Sequence, residues 1–170
     1  MLAQYINGEF PGSNLRDPEL LEGIIDELKS DASSDIRRDH VIKQRLIIAW
    51  DNKVVDISLD PYFRGAKQKG SLVEYLRPFV GNERSFCNIM IARVWLSPEE
   101  DFRDKNEMVL VFLVHEDFGR RVILGKIKND RKGNPKKIKF EPAGEEQFSK
   151  ISKGFLSVET EGLGTLGKLE

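Results

Sequence analysis

Cysteine and histidine are scarce in this chain of 170 residues, which has one cysteine, Cys87, and two histidines, His40 and His115. A single cysteine cannot form an internal disulfide, which is typical of a reducing compartment. A structural zinc site needs clustered Cys, His or acidic ligands, and the two histidines are far apart in sequence. We therefore expect no metal and no cofactor. We expect Cys87, in an apolar segment with no neighbouring base, to be a buried core residue rather than a nucleophile.

Long hydrophobic stretches are also missing. The longest apolar run, Met108–Val114, is far shorter than the ~20 residues that span a bilayer. The first ten residues show no basic segment followed by an apolar block, so no export signal is evident. The sequence therefore predicts a cytoplasmic protein without a membrane partner.

Motifs of catalytic chemistry are few. There is no Gly-x-Ser-x-Gly elbow and no Walker loop. Residues Gly162–Gly167 fit the dinucleotide fingerprint formally, but only three residues follow, so the helix that must hold the pyrophosphate has no room. His115 precedes Glu116 and Asp117, and it is either a strand-end histidine or a general base. These absences argue against an enzyme without excluding one.

The first third of the chain predicts one amphipathic helix. Residues 1–16 are rich in Gly, Pro and Asn and predict an irregular arm. Asp17-Pro18-Glu19 is a helix start, and apolar residues at helical spacing follow it to about residue 29. Ser30 to Asp39 is polar and predicts a turn.

From Val41 onward the period changes to that of strands. Val41–Trp50 and Val54–Leu59, separated by Asp51-Asn52-Lys53, predict a β-hairpin in which Val55, Ile57 and Leu59 face one way. Further strands are predicted at 86–96, 108–114, 121–128 and 136–140, with short helices at 71–77 and 145–152. The lysine-rich strand 136–140 suits a sheet edge, whereas 108–114 and 122–128 should be central.

This order of elements predicts an α+β fold, with a mainly antiparallel sheet of five or six strands and two or three helices. We expect a single domain over residues 1–158 and a flexible Gly-rich tail over 159–170. The expected core consists of Leu21, Ile24, Ile25, Leu28, Ile47, Val55, Ile57, Leu76, Ile89, Ile91, Val109, Val111, Leu113 and Ile123.

One short segment resembles a known family. Val55–Leu59 is similar to part of the PilZ motif, in which Asp/Asn-x-Ser-x-x-Gly follows an Arg-x-x-x-Arg pair. PilZ domains are cyclic-di-GMP receptors, so the resemblance implies a nucleotide-binding alternative. Pro61 stands at the position where the motif has its closing glycine. Val41 and Ile42 stand four residues beyond Arg37 and Arg38, where the resemblance needs a second arginine to grip the phosphates.

The charge distribution is more informative than the net charge of −1. Between residues 117 and 140 stand nine cations against only Asp117 and Asp130, whereas residues 1–60 are predominantly acidic. Such a basic hairpin can bind phosphate backbones, and Phe118 and Phe140 are candidates for stacking on bases. The candidate nucleic-acid-binding residues are Arg120, Arg121, Lys126, Lys128, Arg131, Lys132, Lys136, Lys137 and Lys139.

Three kinds of function stay open at this point. The first is a small non-enzymatic binding or regulatory module that contacts DNA or RNA through residues 120–139. The second is an interaction or assembly factor that uses helix 17–29 or an edge strand to bind a protein partner or a second copy. The third is an enzyme. The basic segment has an ordinary structural explanation too, because Lys and Arg keep edge strands soluble, and it can equally meet an acidic protein surface or the acidic helix 17–29.

Overall fold

A computed structural model describes residues 1–59, 85–96 and 106–144. Two α-helices, one 3₁₀ helix and six strands lie within them. The helices are α1 (Leu2–Ile6), the 3₁₀ helix (Gly12–Arg16) and α2 (Pro18–Asp39), and the strands are β1 (Arg45–Ala49), β2 (Val54–Ser58), β3 (Cys87–Leu96), β4 (Asn106–His115), β5 (Gly119–Asn129) and β6 (Pro135–Pro142).

The strands form one antiparallel sheet in the order β2-β1-β3-β4-β5-β6. This confirms the α+β class, the predicted strand number and the edge position of β6. β3 and β4 are the central pair, while β5 is an interior strand next to the edge. The predicted helices at 71–77 and 145–152, the tail at 159–170 and the core residue Leu76 lie outside the described residues.

The sheet buries apolar side chains on both faces. On one face, here called the helix face, Ile47, Ile89 and Val111 pack with side chains of both α-helices and the 3₁₀ helix. On the opposite face a second cluster includes Ile48, Leu110 and many neighbours from the other strands. β4 supplies buried residues to both clusters, as its continuous apolar run predicts. The other core predictions within the described residues are also confirmed, with Val55 only partly buried.

The start of α2 is as predicted, but its end is not. The Asp17 side chain accepts a hydrogen bond from the Glu19 N–H at 2.9 Å and caps the helix, with Pro18 in its first turn. The helix then continues to Asp39, so the predicted turn at Ser30 to Asp39 is wrong. Ala32 and Ile36 are buried and extend the apolar stripe from Leu28 at four-residue spacing. Their packing outweighs the weak helix propensity of the serines around them.

The predicted irregular arm at residues 1–16 is also wrong. Leu2, Tyr5 and Leu15 are buried in the helix-face core, which anchors α1 and the 3₁₀ helix. Gly12 allows the 3₁₀ helix to approach the β1–β2 turn closely, since a Cβ there would collide with the Trp50 carbonyl oxygen. The Ser13 N–H donates to the Asp51 carbonyl at 3.0 Å, which holds the two segments together.

Candidate nucleic-acid interface

The nine candidate cations do not form one patch, because the four that lie on β5 are already divided between its two faces and its two ends. Val122 and Leu124 belong to the second cluster, whereas Ile123 belongs to the helix-face cluster. By strand alternation Lys126 and Lys128 extend the face of Val122 and Leu124. Arg120 lies eight residues before Lys128 on the same strand, so the two are about 26 Å apart.

The Arg121 side chain lies on the helix face of the sheet, opposite to the face that carries Lys126 and Lys128. It pairs with Glu22 of α2, and both side chains are partly exposed. One of the nine cations therefore meets the protein's own acidic helix, as one of the sequence interpretations allowed. This residue stabilises the packing of the helix on the sheet and is not part of a common binding surface with the distal lysines.

Four lysines near the β5–β6 turn come together on one face of the sheet. In the β5–β6 ladder Lys126 is opposite Lys139, and Lys128 is opposite Lys137. All four residues are exposed. Directly opposed residues have Cβ atoms about 5 Å apart, so each pair places two like charges side by side. We call Lys126, Lys128, Lys137 and Lys139 the lysine face.

The lysine face is not explained by edge protection alone. β6 is an edge strand, where lysine is a common means of preventing unwanted pairing. β5 is still paired with β4 at Lys126, so the same reason does not apply to Lys126, whereas Lys128 lies beyond the β4–β5 ladder. Opposed like charges destabilise a sheet by a few tenths of a kcal/mol up to about 1 kcal/mol per pair. Within the face, Lys139 also forms an ion pair with Glu141 at 3.2 Å.

The turn beyond the lysine face is fixed by Asp130. Its carboxylate accepts hydrogen bonds from the N–H groups of Lys132 and Asn134, at 2.8 and 3.0 Å. Gly133 takes a positive φ of 83°, as this tight connection requires. The exposed Arg131 and Lys132 therefore project from a fixed backbone. Lys136 lies at the register shift between β5 and β6 and is also exposed.

The two aromatic rings proposed for base stacking lie away from the lysine face. Phe140 is opposite Gly125 and packs against the helix-face core, with the Lys29 ammonium 5.9 Å from its ring centroid. Phe118 is at the β4–β5 turn, the far end of β5, where it stacks on His115 at a centroid distance of 4.3 Å. The arrangement thus separates the aromatic side chains from the four lysines.

His115 has a structural role at that far end. It is buried, and its Nδ1 accepts a hydrogen bond from the Asp117 N–H at 3.0 Å. Its Nε2 must then carry the proton, which it donates to the Leu15 carbonyl at 3.2 Å. Burial lowers the pKa of His115. Because both ring nitrogens are engaged by the backbone, the strand-end interpretation describes this residue better than that of a general base.

Arg16 completes a group of contacts that the sequence did not predict. It forms two hydrogen bonds with Asp51, at 2.8 and 3.3 Å, and longer contacts with Glu116 and Asp117. Its guanidinium also lies 4.2 Å from the Phe86 ring centroid. The hydrogen bond from Arg16 lowers the pKa of Asp51. We call Arg16, Asp51, His115, Glu116 and Asp117 the clasp, since they join the 3₁₀ helix to two turns of the sheet.

The remaining candidates are structural within the described residues. Cys87 is buried, and burial raises the pKa of its thiol, so it is an inert core residue. No group of three metal-binding side chains occurs in the described ranges. Likewise, no helix in this part of the chain is long and apolar enough to cross a membrane.

In the segment that resembles the PilZ motif, Asp56 forms an ion pair with Arg45. Asp56 accepts hydrogen bonds from Arg45 at 2.6 to 3.2 Å, and Arg45 also contacts Asp31 of α2 at 3.4 Å. Arg38 pairs with Asp35 and Asp39 in the last turn of the same helix. Asp56 thus takes part in a link between β2, β1 and α2, whereas the contacts of Arg38 stay within its own helix.

Comparisons with known proteins add no functional information. No protein-family model matches the chain, and neither the curated proteins nor the solved structures that were compared give a match. The functional argument therefore depends on the chemistry of the chain itself.

Proposed function

We propose that this protein is a small non-enzymatic binding module that contacts nucleic acid through the lysine face. The observation that carries the proposal is the two pairs of directly opposed lysines, Lys126 with Lys139 and Lys128 with Lys137. Two directly opposed lysine pairs on neighbouring strands are unfavourable for folding, and a bound polyanion would remove that repulsion.

The geometry supports phosphate as the recognised group. Successive same-face residues of a strand are about 6.7 Å apart, so the two lysine pairs repeat at a spacing close to that of neighbouring phosphates along one strand of nucleic acid. Lysine binds phosphate as a flexible point charge and needs no fixed bidentate geometry. The exposed Arg131 and Lys132 continue the positive charge beyond the second pair.

Charge neutralisation tests the proposal. The four Lys→Gln substitutions of the lysine face should weaken binding to mixed-sequence nucleic acid, measured by fluorescence anisotropy. Four phosphate contacts predict a salt slope of about −3.6, which corresponds to roughly 100-fold weaker binding when salt rises from about 50 to about 200 mM. The variant should lose most of this slope.

A matched control separates the lysine face from general charge. Changing Arg37, Arg38, Lys43 and Lys53 to Gln removes the same charge from exposed positions elsewhere. This control variant should retain most of the unmodified protein's affinity for nucleic acid. Equal losses in both variants, or no binding by the unmodified protein at low salt, would overturn the proposal. Glu141→Gln, which releases Lys139 from its ion pair, should strengthen binding slightly.

The sequence also left open a second function, that of an interaction or assembly factor, and fewer surfaces are now candidates for it. The apolar stripe of α2 packs on its own sheet, with Leu21, Ile24, Ile25 and Leu28 all buried. An edge strand, β2 or β6, is then the surface that a protein partner or a second copy would use. A concentration series in sedimentation velocity tests this alternative.

A further inference from the structure

The β5–β6 hairpin continues beyond the ladder that joins β5 to β4. The β4–β5 ladder runs from His115 opposite Gly119 to Met108 opposite Lys126. The β5–β6 ladder goes on to Asn129 opposite Pro135. Residues 127–137 therefore extend past the β4–β5 ladder as a two-stranded segment, which we call the ribbon tip.

The ribbon tip is cationic and fixed in shape. It carries Lys128, Arg131, Lys132, Lys136 and Lys137, and these five residues are exposed. Its single acidic residue, Asp130, uses its carboxylate to hold the turn. A pre-shaped ribbon loses little conformational entropy on binding, in contrast to a flexible basic tail.

From these observations, and resting on the proposed function, we infer that the ligand is double-stranded B-form DNA and that the ribbon tip enters its major groove. The major groove is about 12 Å wide and admits a two-stranded β-ribbon. In that position the lysine face, at the base of the tip, would lie against the phosphates at the groove margin, and Arg131 and Lys132 would enter first.

Two features disfavour the other forms of nucleic acid. Binding of single strands usually relies on aromatic side chains on which bases stack, and residues 126–139 contain none. Phe140 packs on the other face of the sheet, and Phe118 is at the far end of β5. Double-stranded RNA has a deep, narrow major groove, which a ribbon of this width cannot enter.

The test compares three ligands of equal length and matched sequence: duplex DNA, its single strand and duplex RNA. The unmodified protein should bind duplex DNA at least about tenfold more tightly than either of the others at low salt. Equal or tighter binding to single-stranded DNA or to duplex RNA would overturn this inference but leave the proposed function intact. Failure to bind all three would overturn both.

A pair of substitutions at the turn makes the test specific. Arg131→Gln with Lys132→Gln should remove most of the preference for duplex DNA while the protein remains folded, because both side chains are exposed. Arg37→Gln with Arg38→Gln removes the same charge from the last turn of α2 and should keep the preference. The same preference in both double variants would show that the turn does not enter the groove.

Discussion

The two ends of strand β5 use charge in opposite ways. At the end near Gly119, Arg121 pairs with Glu22, and the clasp matches Arg16 with Asp51. At the end near Asn129, lysine is placed against lysine. The first arrangement connects segments 99 residues apart for Arg121 with Glu22 and 35 residues apart for Arg16 with Asp51, whereas the second connects no distant segments within the described part of the chain. The comparison indicates that charge holds the fold at one end and, under the proposed function, is available to a ligand at the other.

The largest effect on stability is expected at the clasp. His115→Ala leaves the Asp117 N–H and the Leu15 carbonyl without their partner and opens a cavity beside Phe86 and Phe118. We expect a loss of about 2–4 kcal/mol in the free energy of unfolding, measured by urea denaturation. Lys128→Ala at the other end should cause no loss. Similar destabilisation by both substitutions would end the distinction between the two regions.

A smaller loss is expected where the 3₁₀ helix meets the β1–β2 turn. Gly12→Ala brings a methyl group against the backbone oxygens of Trp50 and Lys53, which cannot move freely. We expect a cost of about 1–3 kcal/mol, again from urea denaturation. Gly144→Ala is the control, since a Cβ there has open space. A neutral Gly12→Ala would mean that the contact between these segments is loose.

Acid should weaken the clasp through His115. Since burial lowers the pKa of His115 in the folded state, the unfolded chain binds the proton more readily. Stability should therefore be complete above the unfolded pKa of about 6.5 and fall as the pH decreases through it, until the folded histidine is also protonated. Unfolding curves between neutral and mildly acidic pH measure this. His115→Gln should flatten the histidine-dependent part, and an unchanged slope in that variant would assign it to other groups.

The smallest effect, with the opposite sign, is expected at the lysine face. Lys128→Thr removes one like-charge pair and introduces a good strand former, so the protein should become more stable by about 0.2–1 kcal/mol. The gain should shrink at high salt, where repulsion is already screened. A destabilised Lys128→Thr protein would show that the lysine supports the fold.

Local sequence patterns predicted most of the strands and the start of α2. They could not predict contacts between segments that are distant in sequence. The alternation in β2 and the apolar run of β4 depend on near neighbours, and these predictions are confirmed. The observed end of α2 depends on the packing of Ala32 and Ile36 in the helix-face core. The regular structure of residues 1–16 depends on the burial of Leu2, Tyr5 and Leu15 in the same core. The four-residue spacing of Leu28, Ala32 and Ile36 was a local signal for the longer helix, whereas residues 1–16 offered no comparable signal.

The sequence predicted which cations the candidate site contains but not how they are arranged. The excess of cations at residues 117–140 is plain in the sequence. Which of them face each other depends on the register of β5 and β6, and the shift beside Lys128 could not be foreseen. Strand alternation alone places Arg121 on the other face from Lys126 and Lys128, but its pairing with Glu22, which is 99 residues away in sequence, could not be predicted.

One double variant tests the central claim most directly. In Lys128→Gln with Lys137→Gln, the opposed pair beside the turn is neutral and no other contact described for these residues is removed. Urea denaturation and anisotropy with duplex DNA should be measured on the same preparation. The account predicts a protein at least as stable as the original, with binding reduced by roughly tenfold at about 200 mM salt. A less stable protein with unchanged binding would contradict it.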